Sequence, residues 1–284
     1  MAPTSVSPFR LAIGGLALLL GVLGDASAGR ARAESLTCYA VKDNSIFQGT
    51  NNANGIGVWI SAGQNNSLQI QRGLIQFDLA AIPTTARVTA VTLNLYVVSV
   101  PKSDKGNSRS FWLQALKDIG DPSWGEGASD AQDVGQGVAA NPGDATWFYK
   151  QYDTVVWPAG REGALAAGPL GDPVGVVPAN ITPDPTNTTP FKVSWEKNLA
   201  TDQMVADVQA WVDGLVANNG WVLVGEEGSG DALKGSKRQF ASHEAGAYEP
   251  SLVVHYVVPE PALWVLGLSG VFALVGFWRA SRRT

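Results

Sequence analysis

The chain reads as a mainly β protein, an antiparallel β-sandwich with one amphipathic helix, and three observations carry that reading. Apolar and polar residues alternate over several short runs, clusters of Gly, Asn and Pro separate those runs, and one segment alone switches to helical spacing. Composition agrees. Of 284 residues, 45% are hydrophobic and 16% charged, with 32 Gly and 10 Trp, which excludes a disordered chain or a coiled coil.

The alternation is clearest in Ile75, Phe77, Leu79 and in Val91, Leu93, Leu95, Val97, where Gln76, Asp78, Thr92 and Asn94 fall between apolar positions. A half-buried antiparallel strand needs this period of two. Leu252, Val254 and Tyr256 repeat it near the end of the body. Shorter β-like runs cover Val58 to Ile60, Phe111 to Leu116, Phe191 to Trp195, Trp221 to Val224 and Arg238 to Ala241. From Met204 to Asn218 the apolar residues Met204, Val205, Val208, Trp211, Val212 and Leu215 take helical spacing, with Asp202 before them and Asn218-Asn219-Gly220 as a stop. Residues 119–190 are loop-like, rich in Gly, Pro, Ala and Asp, and read as functional loops or as short strands without a clear pattern.

Both ends differ from the body, residues 34–258. Leu11 to Leu23 is an apolar run behind Arg10, followed by Ala26-Ser27-Ala28 and Ala31-Arg32-Ala33. That order is a secretory signal peptide, residues 1–28, with cleavage after Ala28 or, alternatively, after Ala33. Near the C-terminus, Pro259-Glu260-Pro261 precedes 17 uncharged residues, Ala262 to Trp278, and then Arg279, Arg282 and Arg283. A helix of that length spans about 25 Å, enough for a transmembrane segment with Trp264 and Trp278 at the interfaces. The arginines place its end in the cytoplasm and the signal peptide places the body on the other side.

Between Glu34 and Pro261, 14 basic residues face 24 acidic ones, a net of −10. Such a surface repels phosphate backbones, so nucleic acid is not an expected partner, and cations or neutral glycans are. The single thiol, Cys38, makes neither an internal disulfide nor a C-x-x-C pair.

Several residues carry candidate chemistry. Arg72 opens a strand, where a long cation requires a partner, and Glu244 or Asp78 is the expected carboxylate of a structural ion pair. Asp43, near the first strand, and Glu244, just before the last, meet if those strands are neighbours. With loop carbonyls they suit a structural Ca²⁺, the alternative being a salt bridge and a turn cap. Trp124, Trp147 and Trp157 offer indole faces for pyranose rings, but a core role is the favoured reading for Trp124 and Trp147, while Trp157 is open to either. For catalysis, His243 and His255 have no G-x-S-x-G or Cys nucleophile to serve, and no spacing selects a carboxylate pair for glycoside cleavage. No cofactor is required by this reading.

The C-terminal arrangement of Pro259-Glu260-Pro261, apolar span and Arg279, Arg282, Arg283 resembles the PEP-CTERM sorting signal of exopolysaccharide-producing Gram-negative bacteria (residues 259–284). The resemblance implies processing by an exosortase, besides signal peptidase, with membrane attachment through the C-terminal helix before that step. The body resembles the DNRLRE family of secreted β-sandwich domains, related to carbohydrate-binding modules. The residues that carry this are Val41-Lys42-Asp43 with Ile46, the run Arg72 to Pro83, Trp124-x-Glu126-Gly127 with Ala145-Thr146-Trp147, Val208 to Gly220, Phe240-x-Ser242-x-Glu244, and Pro250 to Tyr256. This resemblance implies a jelly-roll-like sandwich without catalytic activity. The expectation is therefore an exported, non-enzymatic surface or matrix protein, structural or adhesive, with polysaccharide as a partner. Two alternatives stand beside it, a polysaccharide lyase or glycoside hydrolase acting on exopolysaccharide, and a purely structural surface protein.

Overall fold

The computed structural model of the chain describes residues 32–132, 135–179, 181 and 190–259. The expected signal peptide, the expected span 262–278 and the basic tail lie outside them, as do Glu260 and Pro261 of the expected sorting signal. In chain order the elements are β1 (Arg32–Phe47), β2 (Asn52–Ala53), β3 (Trp59–Gln64), β4 (Ile70–Phe77), β5 (Arg87–Ser99), β6 (Arg109–Ala115), β7 (Val138–Ala139), β8 (Tyr149–Gln151), β9 (Val155–Val156), β10 (Gly175–Val177), β11 (Phe191–Lys197), α1 (Gln203–Val212), β12 (Trp221–Val224), β13 (Arg238–Ala241) and β14 (Ser251–Val258). The protein is mainly β, built of antiparallel sheets, in a form consistent with a β-sandwich.

One group of strands centres on β5, which pairs with β11 on one side and with β14 and β13 on the other. The second group runs β1, β4, β12, β6 and β10. β1 joins them, lying beside β14 and pairing with β4. Its register shifts between Ala40 and Lys42, so Val41 is an extra residue opposite β4. Such a bulge bends the strand and re-aims the side chains beyond it. Asp43 is the second residue past that bend.

The main core collects Ile75, Phe77, Leu93, Leu95, Phe111, Trp195, Trp221 and Phe240 between the sheets, with α1 against β5. A second core lies on the other face of β4 and β12. There Ile46, Leu74, Val222 and Val224 meet Leu116, Ile119, Trp124, Ala145, Trp147 and Trp157. β12 is consequently buried along its whole length. An uninterrupted apolar strand is the signature of a strand covered on both faces. Residues of the loop segment from Leu116 to Leu165 supply the cover, and the described residues between 119 and 181 hold β7, β8, β9 and β10.

Helix α1 buries Met204, Val205, Val208, Trp211 and Val212, the stripe its spacing predicts. It is shorter than the predicted 204–218. Gly214 adopts φ +68°, its N–H donates to the Trp211 carbonyl, and the Leu215 N–H donates to the Ala210 carbonyl. This Schellman closure ends the helix at Val212 and leaves Leu215 exposed. Gln209 then ties α1 to β5, accepting from the Val88 N–H at 2.7 Å and donating to the Ala86 carbonyl at 3.0 Å.

Candidate functional site

Past the β1 bulge, Asp43 lies in line with Ile75 of β4 and is fully buried. Two segments from distant parts of the chain close over it. One is the loop Trp124 to Ser129, the other the 3-10 turn His243–Tyr248 between β13 and β14. The Asp43 N–H donates to Glu126 Oε1 at 2.8 Å, and the His243 backbone N–H donates to Asp43 Oδ2 at 2.7 Å. The imidazole sits among carboxylates. Its Nδ1 is 3.3 Å from Glu126 Oε1 and 3.6 Å from Asp43 Oδ2, and its Nε2 is 3.3 Å from Glu244 Oε1. The side chains of His243, Glu126 and Glu244 are about a quarter exposed, so solvent reaches the rim while Asp43 forms the floor.

The Trp124-x-Glu126-Gly127 motif acquires a physical meaning here. Trp124 anchors the loop in the second core, its indole N–H donating to the Asn219 carbonyl at 2.7 Å. Glu126 faces Asp43 and His243. Gly127 has φ +80°, and a Cβ there would fall 1.4 Å from Asp144 Oδ1. The buried Asp144 needs that room, because its carboxylate accepts the N–H groups of Ala128, Ser129 and Asn141 and so holds the loop. Asn44 continues the frame, donating to the Glu126 carbonyl at 2.9 Å and accepting from the Asn54 N–H at 3.0 Å.

Electrostatics in the cluster follow from burial. Burial pushes the Asp43 carboxyl up to about 7, partly opposed by contact with His243. Contact with the Asp43 carboxylate raises His243 to about 9 against the opposing effect of burial. Burial also raises Glu126. Lys42 is lowered to about 8 by burial, its ammonium lying 2.7 Å from the Trp124 carbonyl and over the Trp124 ring at 4.2 Å.

Asp43 and Glu244, the residues expected to hold calcium, thus belong to one cluster. Asp43, His243 and Glu244 each offer a donor atom within 4.8 Å of the others. His243 and Glu126 are the members the sequence reading left out. The Trp-x-Glu-Gly spacing was the available signal for Glu126, whereas His243 had only its position beside Glu244.

One sequence expectation is corrected. Arg72 pairs neither with Glu244 nor with Asp78. Its Nε and Nη2 donate to the two carboxylate oxygens of Glu227 at 2.9 and 2.8 Å, Nη1 donates to the Gly163 carbonyl at 2.8 Å, and the guanidinium stacks on Trp147. The reason is placement, since the segment after β12 carries Glu227 to Arg72 while Glu244 is held beside His243. Trp124, Trp147 and Trp157, the candidate glycan contacts, are 1%, 7% and 5% exposed and all lie in the second core, the core reading favoured for Trp124 and Trp147. The Trp157 indole N–H is also committed, donating to the Thr146 carbonyl at 2.8 Å. An indole face covered by protein has no surface for a sugar ring.

No protein-family model matches the chain, and no curated protein matches it.

Proposed function

We propose that this is an exported, non-enzymatic protein of the cell surface or extracellular matrix, structural or adhesive in role. Its body is a jelly-roll-like sandwich of the DNRLRE type, and an exosortase sorts it. The observation that carries this reading is the C-terminal order Pro259-Glu260-Pro261, apolar span, Arg279, Arg282, Arg283, opposite an N-terminal signal peptide. Burial of the three loop tryptophans supports a structural role ahead of sugar binding through them. Burial of Asp43 supports a scaffold role for the acidic cluster, because a substrate ring cannot reach a carboxylate at the floor of the fold.

The test has two parts. In an exosortase-bearing Gram-negative host, mass spectrometry of the tagged chain is expected to show loss of the tail near Pro259, and Glu260→Ala is expected to leave the tail attached. A tail retained by the wild type in that host overturns the sorting assignment. Polysaccharide pull-down with parallel measurement of reducing ends and of unsaturated products tests the rest. Released hydrolysis or lyase products replace the structural reading with the enzymatic one.

A further inference from the structure

We infer that Asp43, His243 and Glu244, with Glu126 beside them, form a binding site for a divalent first-row transition ion of the Zn²⁺ and Mn²⁺ class, which staples β1 to the 3-10 turn before β14. The inference is independent of export or sorting.

Four buried side-chain atoms without a hydrogen-bond partner gather here, Asp43 Oδ1, Ser242 Oγ, His243 Nδ1 and Glu244 Oε2. Asp43 is the decisive one. Its carboxylate is fully buried, Oδ2 accepts the His243 N–H, and Oδ1 has no hydrogen-bond partner. A buried carboxyl oxygen of this kind is costly unless a proton or a cation compensates it. The spacing suits a cation. Donors at tetrahedral angles around an ion with bonds of about 2.0–2.2 Å lie about 3.4 Å apart, and the three donors here, within 4.8 Å of one another, reach that spacing by small side-chain shifts. Three carboxyl groups face one imidazole, with the Lys42 ammonium as the other nearby cation, and a dication would compensate the oxygens they leave unpaired.

The choice of ion follows from donor chemistry. Ca²⁺ takes six to eight oxygens, whereas an imidazole nitrogen among carboxylates favours Zn²⁺, Mn²⁺ or a neighbour in that row. The Asp43 N–H to Glu126 and His243 N–H to Asp43 hydrogen bonds hold the donors in place from the second layer, as metal sites require.

The experiment is titration of the purified, tag-free, chelator-stripped full chain in detergent with Zn²⁺, Mn²⁺ and Ca²⁺, read by calorimetry and thermal unfolding. About one equivalent of Zn²⁺ is expected to bind and raise Tm, with Ca²⁺ weaker. His243→Gln and Glu244→Gln are expected to lose at least about tenfold in affinity, while Glu196→Gln on the exposed side of β11 leaves it unchanged. Visible absorption of the wild-type chain loaded with Co²⁺ reads mixed nitrogen and oxygen coordination without relying on a variant that folds. Absence of a bound equivalent, affinity unchanged in both variants, or Ca²⁺ binding tighter than Zn²⁺ each overturns the inference.

Discussion

Arg72 grips Glu227 across 155 positions of sequence through two parallel N–H to carboxylate hydrogen bonds, and the guanidinium lies 4.6 Å over the Trp147 ring. A planar fork on a carboxylate and an aromatic face beneath it are two contacts that Lys cannot reproduce together. Both side chains are largely buried, so removing one leaves the other uncompensated. Arg72→Ala is expected to destabilise the fold by about 3–5 kcal/mol. Glu227→Gln is expected to cost less, since the hydrogen-bond geometry survives in part. Urea denaturation followed by circular dichroism measures both, and an Arg72→Ala midpoint equal to wild type contradicts the assignment.

The tryptophans of the 119–165 layer give a second test. Trp124→Ala and Trp157→Ala empty space in the second core and are expected to cost about 3–5 kcal/mol each. Polysaccharide retention, where it occurs at all, is expected to be the same in a Trp157→Phe protein that remains folded. A sugar-stacking role predicts the reverse, with little change in stability and loss of retention.

Cys38 supplies a pH-dependent prediction. Burial, with the nearby Asp78 charge, pushes its thiol up to about 11 from 9.0. The folded state therefore keeps the proton that the unfolded state releases, and the stability contribution present below pH 9 falls as pH rises toward 11. Iodoacetamide at pH 8 is expected to leave the native protein unmodified and to label it after denaturation. Rapid labelling of the native thiol contradicts the buried placement.

Asp104 should dominate the acid side. Burial works to raise its carboxyl, but hydrogen bonds from Arg109, Asn107 and Arg238 outweigh it and hold the group below the ordinary carboxylate range. Arg109 Nε and Arg238 Nη1 lie 2.8 and 2.9 Å from Asp104 Oδ2, and Arg109 also holds Glu226 at 2.7 Å. With the folded value depressed, the stabilisation is present above the unfolded carboxyl range and disappears as pH falls through the folded value. Asp104→Asn is expected to cost about 3–5 kcal/mol at pH 7 and to flatten the decline in urea midpoint between pH 5 and pH 3. An undiminished acid decline in the variant assigns that limb to other groups.

Much of the fold was legible locally. The runs Trp221 to Val224 and Arg238 to Ala241 match β12 and β13, and the stripe from Met204 to Val212 matches α1, because period and burial are written into adjacent residues. The long β1 was harder, since its alternation breaks at the Val41 bulge and residues 43–47 are buried on both faces. The site was half legible. Asp43 beside the first strand and Glu244 just before the last are legible as paired carboxylates, but Glu126 arrives through a loop whose course depends on Trp124 and Asp144.

By itself the sequence determined the fold class, the identity of most strands among the described residues, the amphipathic helix of the body and the acidic character of the body. These depend on neighbouring residues and on composition. Only the tertiary structure decided which carboxylate meets Arg72, that the loop tryptophans are core, and that His243 lies against Asp43, 200 positions away. Those pairings depend on strand register, on the bend in β1 and on which sheet face the 119–165 layer covers. Such choices are made by packing between distant segments, and no local period records them.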